Sequence, residues 1–243
     1  MKHGFSILLL SAVAGLVPFA AAFGQTIIQH TGANDPVGQG FILDIRGDAQ
    51  LGPVVDDNGF DSWMIHSRLH TEAASYAYPL TTSEQTAAAN QGWSLSANLR
   101  FVEVSEHARA LLFVQMGTKR FRVGIAAAGT DEMVFSGDIF GPISFEGNPT
   151  EYHAFSLVYD ALSETAALWV NGTVVIPNIT GGEVATPAMV GFGATGESIT
   201  HSHWNEVTFA IIPEPATAAL LVGAGALLAV GVWRRRRRGR FQT

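Results

Sequence analysis

Four oxygen-bearing residues crowd one short stretch of this chain: Asp56, Asp57, Asn58 and Asp61, in Asp-Asp-Asn-Gly-Phe-Asp. Carboxylates and an amide around a glycine turn are the ligand types that a calcium loop uses. The bidentate Glu that closes an EF-hand loop is missing downstream. An acidic turn held by its own side-chain hydrogen bonds is the other reading of the same residues. His201-Ser202-His203 sets two imidazoles on one face of an extended strand, in the manner of a zinc pair, without a third ligand nearby. Glu103 and Glu106 are the closest approach to a pair of catalytic carboxylates, and they sit at a strand end. Trp169 follows a run in which Ala166, Leu168 and Val170 alternate as core residues, so Thr165, Ala167 and Trp169 face outward. An outward indole is a platform on which a sugar ring can stack, or it packs beneath a loop.

These residues must be placed by short strands. Trp93, Leu95, Ala97, Leu99 and Phe101 face one way, while Ser94, Ser96, Asn98 and Arg100 face the other. That period of two predicts a half-buried strand over Trp93–Phe101. Further strands are expected over 41–45, 61–66, 73–78, 109–116, 119–126, 152–159, 165–170, 173–176, 189–192 and 205–212. Asn171-Gly172 joins two of them and favours a type I′ turn, because both central residues need positive φ. Gly117-Thr118 marks a second tight hairpin. The one helical suspicion is a short connector over 83–90, around Ala87-Ala88-Ala89. Roughly ten strands with almost no helix predict an all-β, two-sheet jelly-roll sandwich over residues 25–212, with a closed barrel as the alternative.

The two ends read differently. Met1-Lys2-His3, an apolar stretch from Phe5 to Val17 and Ala20-Ala21-Ala22 make a secretory signal peptide over residues 1–24. At the other end Pro213-Glu214-Pro215 precedes 18 residues without charge or proline, Ala216 to Trp233. As a helix this run spans about 27 Å, enough for one transmembrane crossing. Arg234, Arg235, Arg236, Arg237, Arg238 and Arg240 follow, and should stay cytoplasmic. Pro-Glu-Pro, one apolar helix and a terminal arginine cluster resemble the PEP-CTERM sorting signal over residues 213–243. That resemblance implies an exosortase as processing partner and transient single-pass anchoring in the inner membrane. It also implies delivery to the surface or extracellular matrix of a Gram-negative bacterium.

Charge narrows the partners. Seven of the 14 Lys and Arg lie in the leader and tail, whereas 20 of the 21 acids lie between them. The central part therefore carries a net charge near −13, which argues against nucleic acid as a partner. There is no cysteine, so the exported part must rely on its packed core.

Tyr152 to Asp160, followed by Thr165 to Gly172, resembles the concanavalin A-like lectin/glucanase fold in its laminin G-like branch. Gly191-Phe192-Gly193, Trp204-Asn205-Glu206-Val207 and Gly92-Trp93-Ser94-Leu95 resemble other strands of that branch. The resemblance implies a sandwich used for carbohydrate or protein binding. Retaining glucanases of this fold carry Glu-x-Asp-x-x-Glu, and no Glu here is followed two places on by Asp. The expectation is thus a non-enzymatic, exported binding or structural module, with polysaccharide as the candidate ligand, Trp169 as its contact and calcium as the only candidate cofactor. A glycan-active hydrolase and a purely structural matrix component are the rival readings.

Overall fold

The computed structural model describes residues 24–103, 109–185, 187–194 and 199–212. The leader (Gly24 apart), Pro213-Glu214-Pro215, the span 216–233 and the arginine tail lie outside the described residues. Among the described residues no helix is long and apolar enough to cross a membrane.

In chain order the strands are β1 (Gln25–Thr31), β2 (Ile42–Arg46), β3 (Gln50–Asp57), β4 (Phe60–Ser67), β5 (Ala73–Pro79), β6 (Trp93–Phe101), β7 (Arg109–Met116) and β8 (Lys119–Ala127). They continue as β9 (Glu132–Gly137), β10 (Ile143–Glu146), β11 (His153–Asp160), β12 (Thr165–Val170), β13 (Thr173–Ile179), β14 (Gly182–Glu183), β15 (Met189–Ala194) and β16 (Thr200–Ile211). One helix, α1 (Thr82–Gln91), stands between β5 and β6. Thr81 caps it, accepting from the Glu84 backbone N–H, while the Glu84 carboxylate accepts from the Thr81 N–H at 2.7 Å.

The strands form two antiparallel eight-stranded sheets. The first runs β13-β12-β11-β6-β16-β4-β3, with β1 also paired to β16; the second runs β10-β9-β8-β7-β15-β5-β2, with β14 on β8. The two sheets make the expected sandwich, and the barrel alternative falls away. β16 is long enough to serve two neighbours along one edge: its first half pairs with β4 and its second with β1.

The inner faces fill the core. Trp93, Leu95, Ala97, Leu99 and Phe101 of β6 are all buried, as their alternation requires. Trp204 of the first sheet packs on Phe192 of the second, ring centroids 4.9 Å apart. The Trp63 indole N–H donates to the Tyr76 hydroxyl across the core at 2.9 Å, so both polar tips are satisfied inside an apolar layer. Each large side chain buried this way contributes about 1.5–3 kcal/mol, which stands in for the missing disulfides. Asn171 and Gly172 take φ of 50° and 79°, the signs that a type I′ turn demands.

Candidate functional site: the outer face of the first sheet

The outer face of the first sheet is built from the alternate residues. On β6 these are Ser94, Ser96, Asn98 and Arg100, each half-buried. Directly opposed residues of paired strands share a face, so register lays out the surface. Val174 opposes Trp169, Trp169 opposes Ser156, Ser156 opposes Ser96, Ser96 opposes Thr208 and Thr208 opposes Gln29. One row thus crosses β13, β12, β11, β6, β16 and β1. Trp169 is half-buried in it and does face away from Leu168 and Val170, which are fully buried.

Beside Trp169 the floor is low. Ala167 and Ala154 flank the row with small side chains, and the Ser96 and Ser156 hydroxyls meet at 2.9 Å. A shallow cleft of about 130 Å³ lies there, lined by Ser96, Asn98, Ala154, Ser156 and Glu206 together with Ala97 and Phe155. Its carboxylate, from Glu206, accepts from Gln29 Nε2 at 3.0 Å and from the Thr208 hydroxyl at 3.0 Å. Asn98 Nδ2 donates to Asn205 Oδ1 at 3.2 Å, and Asn205 Nδ2 donates to the Asp61 carbonyl at 2.7 Å. The cleft presents hydroxyls, an amide and a carboxylate over small side chains, with an indole at its side. Groups of these types are able to meet a hydroxylated ring through an apolar face and hydrogen bonds.

A wall closes the face toward the end of β6. Arg100 donates from Nε to Asp57 Oδ2 at 2.8 Å and from its terminal nitrogen to Asp57 Oδ1. Tyr152 donates its hydroxyl to Asp57 Oδ2 at 2.7 Å, and His203 Nδ1 meets the same oxygen at 2.7 Å. Asp57 stands on β3, which β16 and β4 separate from β6, and a flat sheet with strands about 4.8 Å apart would hold it out of reach of Arg100. A register shift between Val54 and Asp57, with positive φ at Asp56, Asn58 and Gly59, curls the β3–β4 tip over the outer face. Phe60 on that tip then packs on Tyr152 with centroids 4.9 Å apart.

The electrostatics follow from this burial. Desolvation works to raise the Asp57 carboxyl, but hydrogen bonds from Arg100, His203 and Tyr152 outweigh it and hold the group far below its ordinary range. Burial lowers His203, only partly offset by Asp57, and burial together with neighbouring His66 and His203 lowers His201. Burial, and then donation to Asp57, keeps the Tyr152 hydroxyl protonated well above its usual range.

Of the four residues of the acidic loop, Asp57 points into the ion pair and Asp61 Oδ1 accepts from the Asp56 N–H at 3.1 Å; Asn58 takes a positive φ in the same turn. Among the described residues no group of three or more His, Cys, Asp or Glu is arranged to hold a metal ion. His201 and His203 share the outer face of β16, and His66 stacks on His201 at 4.2 Å in the opposing position of β4. Glu103 is exposed, 3.9 Å from His201 Nδ1, and Glu106 lies outside the described residues. His203 with Asp57 has the orientation of an imidazole steered by a carboxylate. Its other nitrogen, Nε2, is buried and hydrogen-bonded to none of the described residues, so none of them stands as a nucleophile in hydrogen-bond contact with it. Sequence reading missed the whole Asp57 cluster, whose members are spread from residue 57 to residue 203.

A family model described as Vibrio cholerae sialidase, lectin insertion, matches residues 70–211. Among solved structures, a carbohydrate esterase of the Shiga toxin-encoding bacteriophage phi24B shares 9% identity, covering 78% of this chain and 99% of that one, with a TM-score of 0.58. The binding domain of botulinum neurotoxin DC in complex with SialylT shares 9% identity at a TM-score of 0.50, over 82% of this chain and 50% of that one. A structure of botulinum neurotoxin type C, which for entering cells depends upon interaction with two ganglioside molecules, gives 11% identity at the same TM-score and coverage. The chain thus spans half the length of these neurotoxin structures. At such identities the likeness shows the fold alone. A search of the curated proteins returns no match.

Proposed function

We propose, on the premise that the chain belongs to the Vibrio cholerae sialidase lectin-insertion family, that its sandwich is a carbohydrate-binding module without catalytic activity. The observation that carries this reading is the cross-strand row in which outward Trp169 stands next to the paired hydroxyls of Ser156 and Ser96. Stacking on the indole supplies an apolar contact, and the hydroxyls, Asn98 and Glu206 supply polar ones. A hydrolase on the same fold needs a reactive pair that substrate can reach. The Asp57–His203 pair is spent on tying strands together, which favours binding over cleavage. The test is a glycan array on the full-length chain, run beside an assay for released reducing sugar. Glycan retention without sugar release supports the module; sugar release at any glycan would replace it with the hydrolase.

The setting of the module is a further part of the proposal. The leader, Pro213-Glu214-Pro215, the apolar run and the arginine block favour export, exosortase processing and a final place at the cell surface or in the matrix. Changing Pro213-Glu214-Pro215 to alanines should hold full-length protein in the inner membrane. Mass spectrometry of surface material that still carried Arg234 to Arg240 would contradict cleavage.

A further inference from the structure

We infer that the outer face of the first sheet takes an internal stretch of a linear, uncharged polysaccharide lying across the strands, rather than the terminal sugar of a branched or sialylated glycan. The inference rests on the carbohydrate-binding reading above and specifies its ligand. Three observations carry it.

The first is length. From Trp169 to Gln29 the outward row crosses four strand gaps, through Ser156, Ser96 and Thr208. At about 4.8 Å per gap the track is about 19 Å long. A pyranose and its glycosidic oxygen advance a chain by close to one strand spacing, so about four sugars fit the row. The second is shape. Pockets that engulf a small ligand measure about 300–1,000 Å³, whereas the cleft here holds about 130 Å³. It is a low point on a track, too small to enclose a sugar end. Ala167, Val158, Ser94 and Ala210 edge one flank of the track and Ala154, Asn98 and Glu206 the other, and the curled β3–β4 tip bounds one side. The third is charge. Glu206 is the ionisable group among the described residues that line the cleft. Arg100, the cation closest along β6, is committed to Asp57. A sialate or uronate would meet Glu206 with no cation among the described lining residues to offset it, and like charges repel at such range. Neutral hydroxyls meet donors and acceptors instead.

Isothermal titration of the full-length chain with uncharged β-linked gluco-, xylo- and manno-oligosaccharides of one to six residues tests this directly, with sialyllactose as the acidic probe. For the series that binds, affinity should rise at least tenfold from the monosaccharide to the tetrasaccharide and then level off. Borohydride reduction of the hexasaccharide's terminal sugar should leave its affinity unchanged. Thr208→Phe, three strands from Trp169, should weaken the tetrasaccharide at least tenfold and spare the disaccharide. Monosaccharide or sialyllactose binding as tightly as the hexasaccharide, and lost in Trp169→Ala, would overturn the linear-chain inference while leaving carbohydrate binding in place. No binding of any probe, with Trp169→Ala equal to the parent, would overturn both.

Discussion

Asp57 and Arg100 belong to strands separated by two others in the first sheet, yet their side chains form a bidentate ion pair. The pair exists because the β3–β4 tip curls over the outer face, and Tyr152 and His203 add two further donors to the same carboxylate. Both ion-pair partners are largely buried, with side chains 12% and 7% exposed. Removing one partner would leave the other buried and uncompensated, at a cost of about 3–5 kcal/mol. Asp57→Ala should therefore lower the unfolding free energy, read from denaturant titration, by that amount. Asp57→Leu with Arg100→Met should recover most of it, since an apolar pair leaves no charge unpaired. Equal losses in the single and double variants would show that the tip is held by something else.

Acid should loosen the fold in two stages. Burial lowers His30, His201 and His203 below the usual 6.5, so each is neutral in the folded chain near pH 7. The unfolded chain takes up their protons first as pH falls. The stability they contribute is complete above 6.5 and is lost progressively below it. Asp57, held below its usual 3.8, adds a second stage: its contribution is present above 3.8 and is lost as pH falls below that. Thermal midpoints should be level from pH 8 to 7, fall between 6.5 and 5, and fall again below 4. A level profile down to pH 4.5 would contradict the buried neutral histidines.

The β12–β13 turn offers a test free of packing effects. Gly172 has a φ of +79° and open space around the position of a Cβ; Gly52, on β3, has the same open space without a positive φ. A β-branched residue is strained at the first and not at the second. Gly172→Val should cost about 1–2 kcal/mol or more, whereas Gly52→Val should change stability by less than about 0.5 kcal/mol. Equal costs would place the penalty in something other than the type I′ turn.

Local pattern made the middle of the fold legible and left the edges dark. β6, β7 and β12 have the bounds that alternation and turn residues predict, because one face of each is buried and the other is wet. The connector expected over 83–90 is the longer α1, and its signal was the Thr81…Glu84 capping box rather than any apolar stripe. β1, β3, β9 and β10 escaped sequence reading. β3 contains Gly52 and Pro53, and β10 is four residues long, so neither carries a readable period. β16 begins at Thr200 instead of 205 because its histidines sit at outward positions where an apolar pattern is not required. The outward direction of Trp169 was readable from two neighbours. The row it joins was not, since Ser156 and Ser96 are 60 residues apart and meet only through register. The pairing of Asp57 with Arg100 was equally dark, since the two are 43 residues apart.

Trp169→Ala distinguishes a glycan platform on the outer face from a core aromatic. The indole is half-buried on the outer face, opposite Ser156, while the core is filled by Leu168 and Val170 on the other side. The full-length variant should lose binding to every glycan the parent retains on the array, with a thermal midpoint within a few degrees of the parent. Unchanged glycan binding, or a stability loss of the size expected for a core aromatic (about 3–5 kcal/mol), would contradict the glycan platform.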